Sequence, residues 1–184
     1  MLKTFLSIFV QKSGKKWKLI LLSCCIYQMG TFRGQYSCTI DDKGRIKMPV
    51  SLKAMLPPDE KGRFMLKKGL DDCLEIYTLA GWYKEEERLK KLDKYNPIHR
   101  HFKTTFTIGL TEMSLDSADR FLIPKNLMEY IQNAREVILK GELDCIQIWS
   151  ESKFNEFINS NLSNMHQYSI EVSKYLNELE NHTR

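Results

Sequence analysis

A ten-residue pattern that occurs twice constrains this chain more than any other feature. IDDKGRIKMP, from Ile40 to Pro49, returns 75 positions later as LDSADRFLIP, from Leu115 to Pro124. Aligning the copies pairs Asp41 with Asp116, Arg45 with Arg120, Met48 with Ile123 and Pro49 with Pro124, and each copy runs on into a short apolar segment around Leu52 or Leu127. Arginine is the only basic residue type that recurs in place. A chain of 184 residues has room for one ordinary domain or two small ones, and the repeat favours two similar units sharing a core.

Each copy follows a segment of period-two alternation (Tyr36, Cys38 and Ile40; Met113 and Leu115), the mark of a strand with one buried face. Asp41 to Gly44 carries turn chemistry, because Asp side chains bond the backbone ahead of them and Gly accepts the positive φ that such turns need. Arg45 then starts a return strand with Ile46 and Met48 facing in. Pro49 has no N–H to give a ladder, so it ends the strand and opens a helix. This geometry lifts Lys43, Arg45 and Lys47 onto the rim and outer face. In the second copy Asp119 stands in place of Gly44, and Asp tolerates the left-handed conformation better than most residues.

The rest of the chain follows the same duplication. Val50 to Leu56 can make two helical turns before Pro57 and Pro58 stop it. Arg63 to Lys67 and Cys73 to Tyr77 alternate as a second hairpin, and Glu136 to Lys140 with Cys145 to Trp149 repeat it. Thr78 can cap a helix from Leu79 to about Leu92, which Asn96 and Pro97 break. Ile98 to Gly109 then connects to the second copy, with Phe102 and Phe106 expected as core contacts. A helix from about Ser152 carries Phe154, Phe157, Ile158, Leu162 and Met165 at helical spacing, and Tyr168, Val172, Tyr175, Leu176 and Leu179 extend it. This tail can pack on the body or on a neighbouring subunit, and the sequence leaves both open.

The fold class expected is mainly β with short helices (α+β), two interleaved hairpin units making a pseudo-twofold pair within one chain. A single such unit is too small to bury a core alone. The expected divisions are a leader over 1–28, a first unit over 35–82, a helical connector over 83–109, a second unit over 110–153 and a helical tail over 154–184.

The formal net charge of +5 says little until it is located. Lys3, Lys12, Lys15, Lys16 and Lys18 are the only charges before Met29, and the body balances 23 basic against 23 acidic residues. Local charge is more informative. From Arg33 to Lys53 five basic residues face Asp41 and Asp42, whereas from Gly109 to Met128 only Arg120 and Lys125 face Glu112, Asp116 and Asp119. The first copy therefore carries the basic surface, and Arg120 is expected to contribute less than Arg45.

Five cysteines without C-x-x-C spacing fit buried reduced thiols better than a redox or metal role. His99 and His101 lack ligand-spaced company, so no metal site is expected. No phosphate-cradling Gly loop or nucleophile elbow is present either, and the chain reads as a non-enzyme without cofactor or small-molecule substrate. The apolar runs Phe5 to Val10 and Leu19 to Tyr27 are shorter than the roughly 18 to 20 residues of a membrane span.

DDKGRIKMP, preceded by MGTFRGQY (29–36) and followed by GLDDCLEIY (69–77), resembles the MraZ family of bacterial transcriptional regulators over about residues 29 to 155. The resemblance implies two domains of the AbrB and SpoVT type forming a duplicated swapped-hairpin β-barrel. It also implies sequence-specific binding of double-stranded DNA at short direct repeats, by a ring-forming homo-oligomer, upstream of the division and cell-wall gene cluster that includes its own gene, with repression the expected sign. A cytoplasmic, nucleoid-associated location without membrane contact follows. Carried onto this sequence, the DNA-binding residues are Arg45, Lys43, Gly44, Lys47 and Arg33, with Arg120 weaker. Arg45 can bind phosphate or guanine bidentately; its alternative is an ion pair with Asp41 or Asp42. Because the resemblance begins at Met29, that residue is the expected start and 1–28 the upstream leader, the alternatives being a real extension or a targeting segment. The rival functions are an oligomeric protein-interaction module that binds no specific DNA, and an envelope protein anchored by the leader.

Overall fold

The computed structural model describes residues 10–13, 16–19 and 31–182. In the leader, β1 (Val10–Ser13) and β2 (Lys16–Leu19) pair as an antiparallel hairpin; the remainder of the expected leader, with Cys24 and Cys25, lies outside the described residues. The first repeat supplies β3 (Gln35–Thr39), β4 (Arg45–Lys47), the one-turn helix α1 (Val50–Lys53), β5 (Arg63–Lys68), β6 (Leu74–Thr78) and α2 (Leu79–Lys90). A connecting helix α3 (Pro97–Phe106) follows, with Asn96 capping it and Pro97 at its first position. The second repeat then supplies β7 (Thr111–Ser114), β8 (Arg120–Leu122), α4 (Lys125–Tyr130), β9 (Glu136–Glu142), β10 (Cys145–Ser150) and α5 (Glu151–Leu162), and α6 (Met165–His182) ends the chain.

The repeats interleave. β3 of the first pairs with β9 of the second, β7 of the second pairs with β5 of the first, and the six-stranded sheet runs β3-β9-β10-β6-β5-β7. Counted in repeat positions, this order reads the same from both ends, so a pseudo-twofold axis passes between β10 and β6. Neither repeat alone gives its leading strand a sheet partner.

Alternation assigns the faces. Phe64, Leu66, Leu74, Ile76, Leu139, Ile146 and Ile148 turn to one side and form a single core with Ile46, Met48, Leu52, Phe121, Ile123 and Leu127. Phe64 meets Phe121 edge to face at 5.3 Å, a contact across the two repeats. The opposite face is covered by helices, with Trp82, Leu89 and Phe106 over the first repeat and Phe154 against Trp149 and Ile138 over the second. Thr78 caps α2 through Gly81 N–H (2.9 Å), and the buried Glu60 carboxylate accepts from Leu79 N–H (2.9 Å) and Ala80 N–H (2.8 Å), placing negative charge at the positive end of the helix.

The mainly β, intertwined architecture agrees with expectation, but the expected barrel is not closed. The sheet stops at β3 and β7, while β4 and β8 pair with each other as a separate two-stranded ribbon. Only the Ile40–Ile46 bridge links β3 to β4. Each ribbon strand has three residues before Pro49 or Pro124, where the missing N–H ends the ladder, so neither is long enough to continue around the sheet edge. Of the thiols described, Cys73 and Cys145 are buried and Cys38 half-buried. Burial raises all three, Cys145 to about 12, which favours the protonated thiol over the reactive thiolate.

Candidate nucleic-acid interface

Both hairpin turns are built around an aspartate. In the first, Asp41 Oδ1 accepts from the backbone N–H of Lys43 and of Arg45, both at 2.9 Å, and Oδ2 accepts from Arg45 Nε (2.8 Å) and Nη2 (2.7 Å). One carboxylate thus closes the turn and holds the guanidinium. Gly44 donates to Asp41 C=O at 2.8 Å with φ +78°. The second turn repeats each element: Asp116 Oδ1 accepts from Ala118 (2.8 Å) and Arg120 (2.9 Å), Oδ2 accepts from Arg120 Nε and Nη2 at 3.0 Å, and Asp119 takes the left-handed position at φ +60°.

The alternative of an Arg45–Asp41 ion pair is therefore realised, and it is compatible with ligand binding. An arginine has five N–H donors. The pair engages Nε and one hydrogen of Nη2, leaving the outer end of the guanidinium, Nη1 and the second Nη2 hydrogen, for an external acceptor. Arg45 holds the Asp41 carboxyl down to about 2, mainly through the side-chain hydrogen bond, and is itself raised. Asp116 is also lowered, first by the Arg120 backbone N–H.

The ribbon joins the two hairpins. Arg45 lies opposite Leu122, Ile46 opposite Phe121 and Lys47 opposite Arg120. Ile46 and Phe121 are buried beneath it, so Arg45, Lys47, Arg120 and Leu122 share its outer face. Ile123 N–H donates to Gly44 C=O (3.0 Å) and Met48 N–H to Asp119 C=O (2.8 Å). By alternation, Arg45–Leu122 and Lys47–Arg120 are the non-hydrogen-bonded pairs, whose side chains approach most closely.

The structure brings Lys43, Gly44, Arg45, Lys47 and Arg120 together, and does not bring Arg33 to them. Phe32 pairs with Leu143 and Gly34 C=O accepts from Gly141 N–H, which sets Arg33 beside the β9–β10 turn. The five residues of β3, roughly 17 Å at strand rise, separate it from the ribbon. Gly141 is needed for that crossing, since a Cβ there would lie 2.4 Å from Arg33 N.

The charge expected beside Arg120 is also redirected. Asp119 pairs with Lys53 at 2.6 Å and Asp42 with Arg135 at 3.1 Å, both across the repeats. Lys43 and Lys47 make no ion pair among the described residues. Lys125, counted in the sequence only toward local charge, and Arg135, which the sequence did not single out, line an open cleft of about 590 Å³ beside the first turn. The Lys53 and Arg135 pairings join residues 66 and 93 positions apart, so no local pattern announces them.

Comparison with known proteins gives one consistent picture. The family model described as "MraZ protein, putative antitoxin-like" matches twice, over residues 31–105 and 106–171. A protein of Cytophaga hutchinsonii named Transcriptional regulator MraZ is 32% identical over 148 residues, covering 80% of this chain and 96% of that protein. Proteins of the same name from Moorella thermoacetica and Caldicellulosiruptor bescii are 39% identical over 127 residues and 41% identical over 131, covering 68% and 71% of this chain and 85% and 89% of theirs.

Proposed function

The chain belongs to the MraZ family, and from that membership we propose that it is a DNA-binding transcriptional regulator that meets the duplex with the outer face of the β4–β8 ribbon. The observation that carries this reading is the fusion of both hairpins into one exposed strip holding Arg45, Lys47 and Arg120. A two-stranded ribbon fits the major groove of B-DNA, where an arginine can bind guanine bidentately. The Asp41–Arg45 pair supports the role, because a guanidinium already oriented loses less side-chain freedom on binding.

The finer assignment is a repressor of the division and cell-wall gene cluster that includes its own gene, acting on DNA in the cytoplasm and nucleoid. One ribbon offers few phosphate contacts, and such a surface alone binds in the non-specific range of roughly 10⁻⁴ to 10⁻⁶ M. Several ribbons in one ring-shaped homo-oligomer, meeting short direct repeats, add a factor of about 10² to 10⁴ through effective concentration. The exposed Met165, Tyr168, Val172 and Tyr175 of α6 supply apolar surface for contacts between copies. The same surface favours a second reading, an oligomeric interaction module without specific DNA binding.

A footprint on the DNA just upstream of the protein's own reading frame separates the two. The regulator should protect spaced repeats at physiological salt and lose protection when about five base pairs are inserted between them. Uniform binding that competitor DNA abolishes would favour the interaction module.

A further inference from the structure

Leu122 is the one apolar side chain on the outer face of the ribbon. It is 51% exposed, lies directly opposite Arg45 and occupies the position that corresponds to Lys47 in the first copy. Three of the four outward side chains are thus cationic, and the fourth, set among them, is a leucine. Its side chain borders the open cleft beside the first turn together with Lys43, Gly44 and Lys125, and a Cβ built on Gly44 would lie 3.6 Å from one of its methyls.

Resting on the DNA-binding reading above, we propose that Leu122 is a specificity-determining residue that reads a thymine methyl group next to the base that Arg45 contacts. The major groove carries one apolar group, the C5-methyl of thymine, and apolar side chains are what recognise it. Position supports the assignment. Arg45 and Leu122 form a non-hydrogen-bonded pair, with Cβ atoms about 4.5 to 5.5 Å apart, a separation that spans one to two base steps of roughly 3.4 Å along a strand. With Arg45 on guanine O6 and N7, Leu122 therefore falls over a neighbouring base edge in the same groove.

The asymmetry has a consequence for the site. Two identical hairpins would present a twofold-symmetric strip, whereas Lys47 on one strand and Leu122 on the other give it a direction. A directional strip reads a non-palindromic element, which suits sites arranged head to tail.

The test uses full-length protein and a random-sequence duplex library to obtain its preferred site. Each thymine of that site is then replaced singly by deoxyuracil, which removes only the methyl. At one or two positions the wild-type protein should lose roughly fourfold in affinity, the value of one buried methyl-sized group. Leu122→Ala should bind thymine and deoxyuracil DNA equally at those positions while still depending on Arg45. Indifference of the wild type to deoxyuracil at every position, with Arg45→Ala still damaging, would overturn the role of Leu122 and leave the DNA-binding reading standing. Failure to enrich any sequence would overturn both.

Discussion

Asp41–Arg45 in the first hairpin and Asp116–Arg120 in the second form the same bidentate pair, closed over turns of the same shape. Their neighbours differ at every charged position: Lys43 corresponds to Ala118, Gly44 to Asp119 and Lys47 to Leu122. The backs of the two repeats diverge in the same way. In the first, Lys67 (0% exposed) and Glu75 (10%) form a 2.7 Å ion pair, with the ammonium 4.1 Å from the ring of Phe106 and Tyr77 donating to Glu75. In the second, Gln147 replaces Glu75, Trp149 donates to it, and Lys140, 34% exposed, turns to Glu142. Backbone hydrogen bonding and apolar phase are what the fold requires of both copies, and charge is where each is adapted to what covers it.

Converting one repeat toward the other tests this comparison. The largest effect is expected from Glu75→Gln, which gives the first repeat the side chain of the second. Lys67 is sealed under α3 and would be left without its counter-charge, so stability should fall by about 3 to 5 kcal/mol. Gln147→Glu, on the more open side, should change it much less. Urea unfolding of the two variants measures both, and similar losses would mean that α3 does not seal the first site.

Next in size is the contrast between the arginines. Arg45→Ala should weaken specific DNA binding by about tenfold or more, since a bidentate base contact contributes that much discrimination, and Arg120→Ala should weaken it less. Lys43 flanks Arg45, but Lys47 lies beside Arg120, so the two strands share a field more evenly than the composition of the copies suggests. Equal losses in competition gel shifts would show a single shared face with no dominant hairpin.

A smaller change is expected from Asp119→Gly, which makes the second turn chemically like the first. Glycine accepts the left-handed backbone without penalty, and Lys53, released from Asp119, becomes available to a phosphate. Binding should tighten a few-fold, with the slope of log affinity against log salt steeper by about one. An unchanged salt slope would show that Lys53 stays away from the duplex.

The smallest effect concerns pH. Asp41 is lowered to about 2 by Arg45, so its pair with Arg45 is fully formed above the ordinary carboxylate range and opens only as pH falls through about 2. The pair should contribute no pH dependence to binding between pH 5 and 8. Carboxyl NMR should place the Asp41 midpoint near 2 in the wild type and higher in Arg45→Ala, still below the ordinary value because the backbone N–H groups at positions 43 and 45 continue to bond the carboxylate; an ordinary midpoint in the wild type would mean the pair is open in solution.

Local chemistry was readable in the sequence because it is carried by neighbouring residues. The Asp-led turns, the inward phases of Ile46 and Met48, the Thr78 cap and the stop at Pro49 all emerge where expected. The exchange of β3 and β7 between repeats could be expected only from the duplication, and the failure of the barrel to close was hidden, since both depend on pairings between strands far apart in sequence, such as Gln35 with Lys140 and Arg45 with Leu122. For the same reason Arg33, near the first motif in sequence, is carried by β3 to the opposite end of the sheet. Arg45 stood between two roles that the sequence could not rank. Its geometry joins them, with the inner edge held by Asp41 and the outer end free for a ligand.

The central claim is that the ribbon is the face that meets DNA, and hydrogen–deuterium exchange with and without the footprinted duplex tests it most directly. Peptides spanning 41–48 and 116–124 should gain protection together, while those of α2 and α3 on the opposite face of the sheet should not change. Protection confined to α5 and α6, with the ribbon unaffected, would contradict the account.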